Sequence, residues 1–256
     1  MTTLGGVCHI YNEQDLLPHF IKHHINLFDD FYVIDHHSTD FSWDIVETLA
    51  PNWKIVESSL PNFDAVKNDH EVMGYEKRLN TDWKFALNVT EFIWKPNFKS
   101  WLSQFNKKEY KALGLKSVYL VDDQEREMKT NPLWLDRHHG YIDIYDHRRY
   151  RYVHNQEHGN YHVGRHSTCL PANHFDDTFL LYFGFSPWPQ CIDRKLSIQT
   201  RIPRSDIQHG LGWEHILNEQ TLRLRREEKL KISYNLLDNP LYLDCYNWFY
   251  KNYIPV

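Results

Sequence analysis

The stretch FYVIDHHSTD, residues 31–40, decides the fold class expected of this 256-residue chain. Its first four residues are aromatic or β-branched, and the carboxylate of Asp35 follows them directly. This is the pattern of a buried strand that runs into a polar loop. Asp40 or Ser42 can cap the helix that follows, through Leu49. The stretch therefore predicts one strand of a sheet, with polar side chains at its carboxyl end.

Strand and helix signals alternate on both sides of this stretch. Residues 6–10 form a short apolar run, and residues 16–28 then carry apolar side chains at helical spacing. Residues 53–57 predict another strand, residues 69–79 a helix and residues 82–87 a central strand. Such alternation with short connections is typical of βαβ units. We therefore expect the α/β class, with a mixed, mostly parallel sheet flanked by helices.

The second half of the chain has a weaker pattern. Residues 117–121 predict a strand, and residues 179–185 form a strongly apolar strand candidate. From Gln190 onward two or three helices are expected. The expected organisation is one main domain over residues 1–185 and a helical extension over residues 186–256, packed on that same domain.

Composition excludes several classes of protein. The formal net charge is −5, so nothing favours a general electrostatic grip on nucleic acid, although basic residues cluster at 148–151 and 223–226. No apolar run approaches the ~20 residues of a membrane span, and the N-terminus lacks the pattern of a signal peptide. The 4 cysteines lie far apart and are interpreted as reduced thiols. We expect a cytoplasmic protein, with peripheral attachment to a membrane left open.

Three polar clusters follow the first, second and fourth predicted strands. They are Asn12-Glu13, residues 35–40 and residues 88–91. Ligands of parallel sheets bind at the carboxyl ends of the strands, so we expect these clusters to meet around one pocket. The alternative is a chance arrangement of loop residues, because strand ends are polar anyway. Within the pocket Asp35 could accept hydrogen bonds from a base or a ribose, or it could simply form a turn.

The cluster after the fourth strand has the spacing of a metal site. Asn88 and Thr90 would face the same way from an extended segment, with Glu91 in the turn beside them. Hard divalent metals prefer charged oxygen ligands, and Asn88 and Thr90 are neutral. On residue chemistry alone this is a weak metal site.

Taken in order, these segments resemble the family-two-type glycosyltransferases. The matching residues are Asn12-Glu13, residues 33–40, Asp82-Trp83 and residues 87–92. In the family the pattern runs NE…hhIDNxSTD…DWhhhhDxDEF, and the resemblance to it covers about the first 95 residues. The resemblance implies a GT-A fold that transfers a sugar from a nucleotide-diphosphate donor to an acceptor hydroxyl on a glycan or lipid-linked glycan.

The resemblance also implies roles for individual residues. The nucleotide would be held by Asn12, Glu13 and Asp35, with His37 and Ser38 nearby. The acidic motif would hold Mn²⁺ or Mg²⁺ against the diphosphate, with Glu91 and a late histidine as ligands; His166 is the first choice for that histidine and His162 the second.

The sequence departs from the family at this motif. Asn88 and Thr90 stand where two aspartates are expected, so they would contact the diphosphate or sugar, and only Glu91 keeps its charge. A metal would bind more weakly or be dispensed with. In the second case Lys77, Arg78 or residues 148–151 could neutralise the leaving diphosphate.

Catalysis by an inverting enzyme needs a carboxylate that takes the acceptor's proton. Asp123, with Asp122 beside it, follows the strand 117–121 and is the preferred candidate, and Glu91 is another. The two aspartates could equally cap a helix. Trp188 and Trp213 could be platforms for a sugar or buried core residues.

Two other functions stay open. One is a catalytically inactive protein that binds nucleotide sugars, with the degenerate motif as the sign of lost activity. The other is a zinc-dependent hydrolase built on the histidines at 154, 158, 162, 166 and 174, although Gly159 and Gly164 argue against the regular helix that would align them.

Overall fold

The structure, a computed structural model, describes residues 1–126, 128, 132–142, 150–209 and 218–252. The strands are β1 Leu4–Ile10, β2 Asp30–Asp35, β3 Lys54–Glu57, β4 Trp83–Leu87, β5 Glu91–Trp94, β6 Ala112–Val121, β7 His139–Ile142, β8 Tyr150–His154, β9 Ala172–Phe185 and β10 Tyr234–Asn235. The α-helices are α1 Leu17–His24, α2 Ser42–Leu49, α3 Ala65–Glu76, α4 Phe98–Leu102, α5 Cys191–Gln199, α6 Arg204–Gln208, α7 Glu219–Leu230 and α8 Pro240–Asn252.

The first four strands pair in parallel, in the order β4-β1-β2-β3. Cys8 of β1 lies opposite Val33 of β2 on one side and Leu87 of β4 on the other. The carboxyl ends of these strands therefore form one continuous edge, called the carboxyl edge below. This is the arrangement that the alternating strand and helix signals predict.

The remaining strands extend the sheet with mostly antiparallel pairs. β8 runs antiparallel to both β4 and β6, so β6 points the same way as β4 and also ends at the carboxyl edge. β9 pairs in parallel with β6 and antiparallel with β5. The α/β class, with a mixed sheet flanked by helices, is confirmed.

Helices cover both faces of the parallel strands. Successive residues of the central strands point to opposite faces of the sheet, and most of the residues on each face are apolar. Val7, Ile34 and Ala86 pack with Val72 of α3 on one face. On the other face, residues such as Phe31 pack against α1. Because α3 leads from β3 to the start of β4, it begins at the carboxyl edge and ends at the opposite edge.

Described helices of the C-terminal segment contact the sheet domain, and the division of the chain at residue 185 stays a prediction. Phe249 of α8 stacks on Trp94 of β5, with ring centroids 4.4 Å apart. Arg226 of α7 donates from Nε to the carbonyl of Asp122, 3.0 Å away. No helix in the described part of the chain is long and apolar enough to cross a membrane.

Some predicted elements have different bounds in the structure. The helix expected over residues 69–79 runs from Ala65 to Glu76, because the Asp64 side chain accepts a hydrogen bond from the Lys67 amide at 2.9 Å and so caps it. The strand expected to start at Asp82 is divided by a turn at residues 88–90, so that Glu91–Trp94 is a separate strand, β5. The sequence prediction contains no strand at β8. Arg148, Arg149 and Trp213, singled out from the sequence, lie outside the described residues.

Candidate functional site

The turns after β1 and β2 are joined by hydrogen bonds at the carboxyl edge. The Asn12 amide donates to Ser38 Oγ at 2.9 Å, and the Thr39 amide donates to Asn12 Oδ1 at 2.8 Å. Ser38 in turn donates to the Asp35 carboxylate from its hydroxyl and from its amide. Three of the predicted nucleotide-binding residues, Asn12, Asp35 and Ser38, therefore form one connected cluster.

Asp35 is buried at the base of this cluster. Burial raises the pKa of its carboxyl group, and the hydrogen bonds from Ser38 act in the opposite direction. Asn12 and His37 both have positive φ, 50° and 60°, which shapes the two turns around the cluster. Ser38 uses only part of the lone pairs of this carboxylate, so Asp35 can accept further hydrogen bonds from a polar ligand that reaches the turns.

Two other predicted nucleotide-binding residues have partners within the protein. His37 contacts Glu57 Oε1, in the last residue of β3, at 3.1 Å through Nδ1, and donates to the carbonyl of Leu60, just beyond β3, at 2.9 Å through Nε2. Glu13 is buried and lies 3.5 Å from Arg194 of α5. Both residues lie at the carboxyl edge, where they support the turns around Asp35.

The degenerate motif after β4 lies within a network of buried charges. Glu91 Oε1 accepts a hydrogen bond from Arg151 Nε at 2.6 Å, and Glu91 Oε2 accepts one from the Asn88 amide at 2.8 Å. Asn88 Oδ1 accepts a hydrogen bond from Arg165 at 2.6 Å, and Arg165 also pairs with Asp69 of α3. The two carboxylates and the two guanidinium groups balance each other in charge.

These residues do not fit a divalent cation. A hard cation needs several oxygen ligands with free lone pairs, most of them charged. Both oxygens of Glu91 and the side-chain oxygen of Asn88 already accept hydrogen bonds, two of them from guanidinium groups, while Thr90 is neutral. His166, the expected late ligand, is exposed beside Arg165. Among the described residues there is no group of three or more His, Cys, Asp and Glu that could hold a metal.

Lys77 and Arg78 are not at this site, contrary to the sequence prediction. They follow the end of α3, at the edge of the sheet opposite the carboxyl edge. Lys77 lies 3.7 Å from Glu157, and the Arg78 guanidinium lies over the Tyr75 ring, 4.4 Å from its centroid. The prediction rested on their positive charge alone and did not account for the direction of α3.

The histidines between residues 154 and 174 are dispersed. His154 is fully buried and pairs with Glu76 at 3.1 Å, while His174 lies 3.1 Å from the Tyr152 hydroxyl. His162 lies 3.5 Å from the thiol of Cys169 in an exposed loop. This dispersal gives no support to a zinc site in the described part of the loop.

The two aspartates after β6 are in different environments. Asp122 is buried and accepts hydrogen bonds from Ser186 Oγ at 2.7 Å and from the Trp188 amide at 2.9 Å. Asp123 is exposed and pairs with Arg126 at 3.1 Å. Burial acts to raise the pKa of Asp123, but the interactions with Arg126 outweigh burial, so the pKa of Asp123 is lowered. Of the pair, Asp123 is the carboxylate that a substrate could reach.

Trp188 has the environment of a buried core residue, which is the alternative to a platform for a sugar. Its side chain is almost fully buried, and the guanidinium of Arg226 lies 4.7 Å from its ring centroid. This face of the Trp188 ring is therefore covered by Arg226 and is not open to a sugar.

Arginines from distant parts of the chain reach the carboxyl edge, and the sequence did not single them out. Arg201, between α5 and α6, donates to the carbonyl and to Nδ1 of His36, and its guanidinium lies 4.0 Å from the Tyr11 ring centroid. Arg165 and Arg194 reach the edge from a loop and from α5. Only tertiary contacts more than 75 residues apart place them there, so no local pattern could have found them.

No family model matches the chain, and no curated protein matches it. Among solved structures it is similar to TarS of S. aureus, residues 1–349, with 13% identity over 60% of this chain and 47% of that chain and a TM-score of 0.42. The UDP complex of the same protein gives 15% identity over 49% and 38% of the two chains and a TM-score of 0.38.

Glucosyl-3-phosphoglycerate synthase of Mycobacterium tuberculosis, solved with Mn²⁺, UDP and glucosyl-3-phosphoglycerate, is also similar. The identity is 18% over 46% of this chain and 44% of that chain, with a TM-score of 0.35. The chain spans less than half the length of each of these solved chains. Similarity at this level establishes no shared reaction.

Proposed function

We propose that this protein is a glycosyltransferase of the GT-A type, which transfers a sugar from a nucleotide-diphosphate donor to an acceptor hydroxyl. The observation that carries the proposal is the convergence of Asn12, Asp35 and the turn of Glu91 at one edge of a parallel sheet. Ligand sites of such sheets lie at that edge. Burial and the carboxylates of Glu13 and Glu91 raise the pKa of the Cys8 thiol in β1, which is consistent with both carboxylates lying near the end of that strand.

The donor nucleotide would lie over the turns after β1 and β2. In this proposal Asp35 accepts hydrogen bonds from the base or the ribose, and the Asn12 side chain forms the wall of the pocket. The diphosphate then extends along the carboxyl edge toward Asn88 and Thr90. The direction follows from the strand order, because β4 lies next to β1 on the side opposite β2.

The acceptor would approach from the end of β6, where Asp123 is exposed. The acceptor oxygen forms a bond to the anomeric carbon of the sugar, while the bond from that carbon to the donor phosphate breaks. The electron pair of the broken bond leaves with the nucleoside diphosphate, and the acceptor's proton passes to Asp123. Glu91 is not suited to this proton transfer, because Arg151 and the Asn88 amide occupy its oxygens.

Binding of the donor tests the proposal directly. A ligand that binds only the folded state raises the melting temperature, so a screen of nucleotide sugars should identify the donor as the compound with the largest shift. Asp35→Ala should abolish that shift, because it removes the acceptor at the base of the pocket. Lys54→Ala, on the exposed side of β3, is the matched control and should keep the shift.

Two outcomes would count against the proposal. If no nucleotide sugar changes the melting temperature of the wild-type protein, the site does not bind such donors. If a donor binds but is neither hydrolysed nor transferred to any glycan or lipid-linked acceptor, the alternative of an inactive nucleotide-sugar-binding protein is favoured.

A further inference from the structure

We propose that guanidinium groups, with Arg201 as the main one, hold the donor's diphosphate, and that no divalent cation at the Glu91 motif does so. This inference rests on the proposed function for the identity of the ligand. Its physical basis is separate: no carboxylate among the described residues forms an ion pair with Arg201 at the carboxyl edge, and the position for a metal is already surrounded by two arginines.

Arg201 has the properties of an anion-binding residue. It is partly buried, and burial lowers the pKa of its guanidinium, while Tyr11 and the nearby carboxylate of Asp35 act in the opposite direction. Within the described part of the chain no carboxylate forms an ion pair with it, and its hydrogen-bond acceptors are the carbonyl and the imidazole of His36. A desolvated cation without a paired anion is costly unless a ligand supplies the negative charge.

Its orientation is fixed by the turns that form the nucleotide pocket. The guanidinium stacks on Tyr11, the first residue after β1, and donates to His36, the first residue after β2. A guanidinium has more N–H donors than these two hydrogen bonds use. The remaining donors can form the paired hydrogen bonds that arginine makes with phosphate.

Further unpartnered polar atoms surround this position. Arg165 Nε, His9 Nε2 and His36 Nε2 are buried without a hydrogen-bond partner in the described structure. The rings of His9 and His36 lie 5.1 Å apart. Burial lowers the pKa of His9, and His36, Arg165 and Arg201 lower it further. Buried polar atoms usually have partners, so this group of unpaired atoms at one place indicates a polar ligand.

The Glu91 motif cannot supply the positive charge through a metal in this arrangement. A cation there would have to displace Arg151 from Glu91 and Arg165 from Asn88. Both guanidinium groups would then remain buried without their partners, at a cost that a weak ligand set does not offset. Because Glu91 and Asp69 balance these two arginines in charge, the positive charge for a diphosphate has to come mainly from an arginine outside the motif, and Arg201 is that residue.

The test compares nucleoside diphosphates with the corresponding nucleosides by calorimetry, using UDP, GDP, ADP, CDP and dTDP as probes. Binding of the preferred diphosphate should have the same affinity in EDTA as in Mn²⁺. Arg201→Gln should weaken that binding by about tenfold or more, the loss expected when a charged hydrogen bond to phosphate is removed. Binding of the nucleoside without phosphates should be unchanged, which a merely structural role of Arg201 would not produce.

Two further variants keep the result interpretable. Arg201→Lys keeps the charge and loses the planar fork, and it should bind the diphosphate with an affinity between those of the wild type and Arg201→Gln. Arg78→Gln removes another arginine that stacks on a tyrosine, at the opposite edge of the sheet, and should leave binding unchanged.

The failures of the two proposals are distinguishable. If EDTA abolishes diphosphate binding and Arg201→Gln does not weaken it, this inference is overturned while the proposed function stands. An equal loss of nucleoside and diphosphate binding in Arg201→Gln would also overturn it. If no nucleoside diphosphate binds, the proposed function fails, and inorganic pyrophosphate becomes the probe: binding in EDTA that Arg201→Gln removes supports the inference, and no such binding overturns it.

Discussion

At the scale of single residues, the two aspartates that follow β6 have different roles. Asp122 Oδ1 and Oδ2 hold Ser186 and the Trp188 amide, so this residue fixes the chain where it leaves the sheet domain. Asp123 pairs with Arg126 and is exposed. Experiments can therefore distinguish the two carboxylates: Asp122 supports the fold, and Asp123 could take part in the reaction.

We predict that Asp123→Asn lowers the rate of sugar transfer by about 10²- to 10⁴-fold, the contribution of a general base. Donor binding should stay the same, because Asp123 lies at the end of β6, away from the nucleotide turns. The measurement is the transfer rate together with the donor's dissociation constant. Asp122→Asn is the control and should mainly lower the melting temperature; a normal transfer rate in Asp123→Asn would exclude it as the base.

The ion pair of Glu91 and Arg151 leads to a prediction about stability. Both side chains are almost completely buried, so Arg151→Met leaves a carboxylate buried without its partner and should lower the free energy of unfolding by about 3–5 kcal/mol. The second substitution, Glu91→Gln, should recover much of that loss, because it removes the unpaired charge. Denaturant unfolding of the two single variants and the double variant measures both effects.

An exposed pair provides the comparison. Arg223→Gln breaks an ion pair with Glu219 on the surface of α7 and should cost no more than about 1 kcal/mol. If Arg151→Met costs as little as Arg223→Gln, then Glu91 is not held as a buried charge, and the objection to a metal at this motif loses its basis.

At the scale of secondary-structure elements, two histidines join α1 to β5 through the backbone of one residue, Ile93. His23 Nε2 donates to the carbonyl of Ile93 at 2.9 Å, and His24 Nε2 accepts from the amide of Ile93 at 3.3 Å. His24 Nδ1 donates to the carbonyl of Phe20 at 2.9 Å. His24 must therefore be neutral, because a proton on Nε2 would face the Ile93 N–H.

This joint predicts that the protein loses stability in mild acid. Burial lowers the pKa of His24 well below its ordinary value of 6.5 and that of His23 to about 4. As pH falls below 6.5, the unfolded chain binds protons that the folded protein does not, so the free energy of unfolding falls until the folded pKa is reached. The loss should reach up to roughly 3 kcal/mol for His23 alone.

Denaturant unfolding between pH 7 and pH 4 measures this loss. His23→Gln should flatten the dependence on pH, and His209→Gln, at an exposed position after α6, should leave it unchanged. An identical pH profile for wild type and His23→Gln would show that the joint does not depend on a neutral imidazole.

Sequence patterns predict the first half of the sheet. They do not predict the strands and site residues whose positions depend on long-range contacts. β1, β2 and β4 were predictable because each has a continuous apolar run followed by polar residues. The β8 strand was not, since the arginines around residue 150 suggest a surface, and only the pairing of Arg151 with Glu91 explains a buried arginine there. The convergence of Asn12 and Asp35 followed from strand order, whereas the cations at the site come from residues 165, 194 and 201, which no local pattern connects to it.

At the scale of the whole molecule, residues 191–208 lie across the carboxyl edge and link it to the second half of the chain. Arg194 contacts Glu13 after β1, and Arg201 contacts His36 after β2. Asp206 of α6 accepts a hydrogen bond from the Ala65 amide at the start of α3, 3.0 Å away. The site therefore needs both the parallel strands, which supply the acceptors, and the C-terminal segment, which supplies the positive charge.

Binding of a nucleoside diphosphate should therefore stabilise the contact between these two parts. We predict slower amide hydrogen exchange in α5 and in residues 35–38 when the ligand is present, by up to ~100-fold at ligand concentrations near 100 times the dissociation constant. Amides of α8 that exchange through local opening should be unaffected, because α8 packs on Trp94 at the other end of β5. Protection confined to the turns after β1 and β2, with α5 unchanged, would mean that the C-terminal segment does not contact the ligand, and Arg201 would then have no part in holding the phosphates.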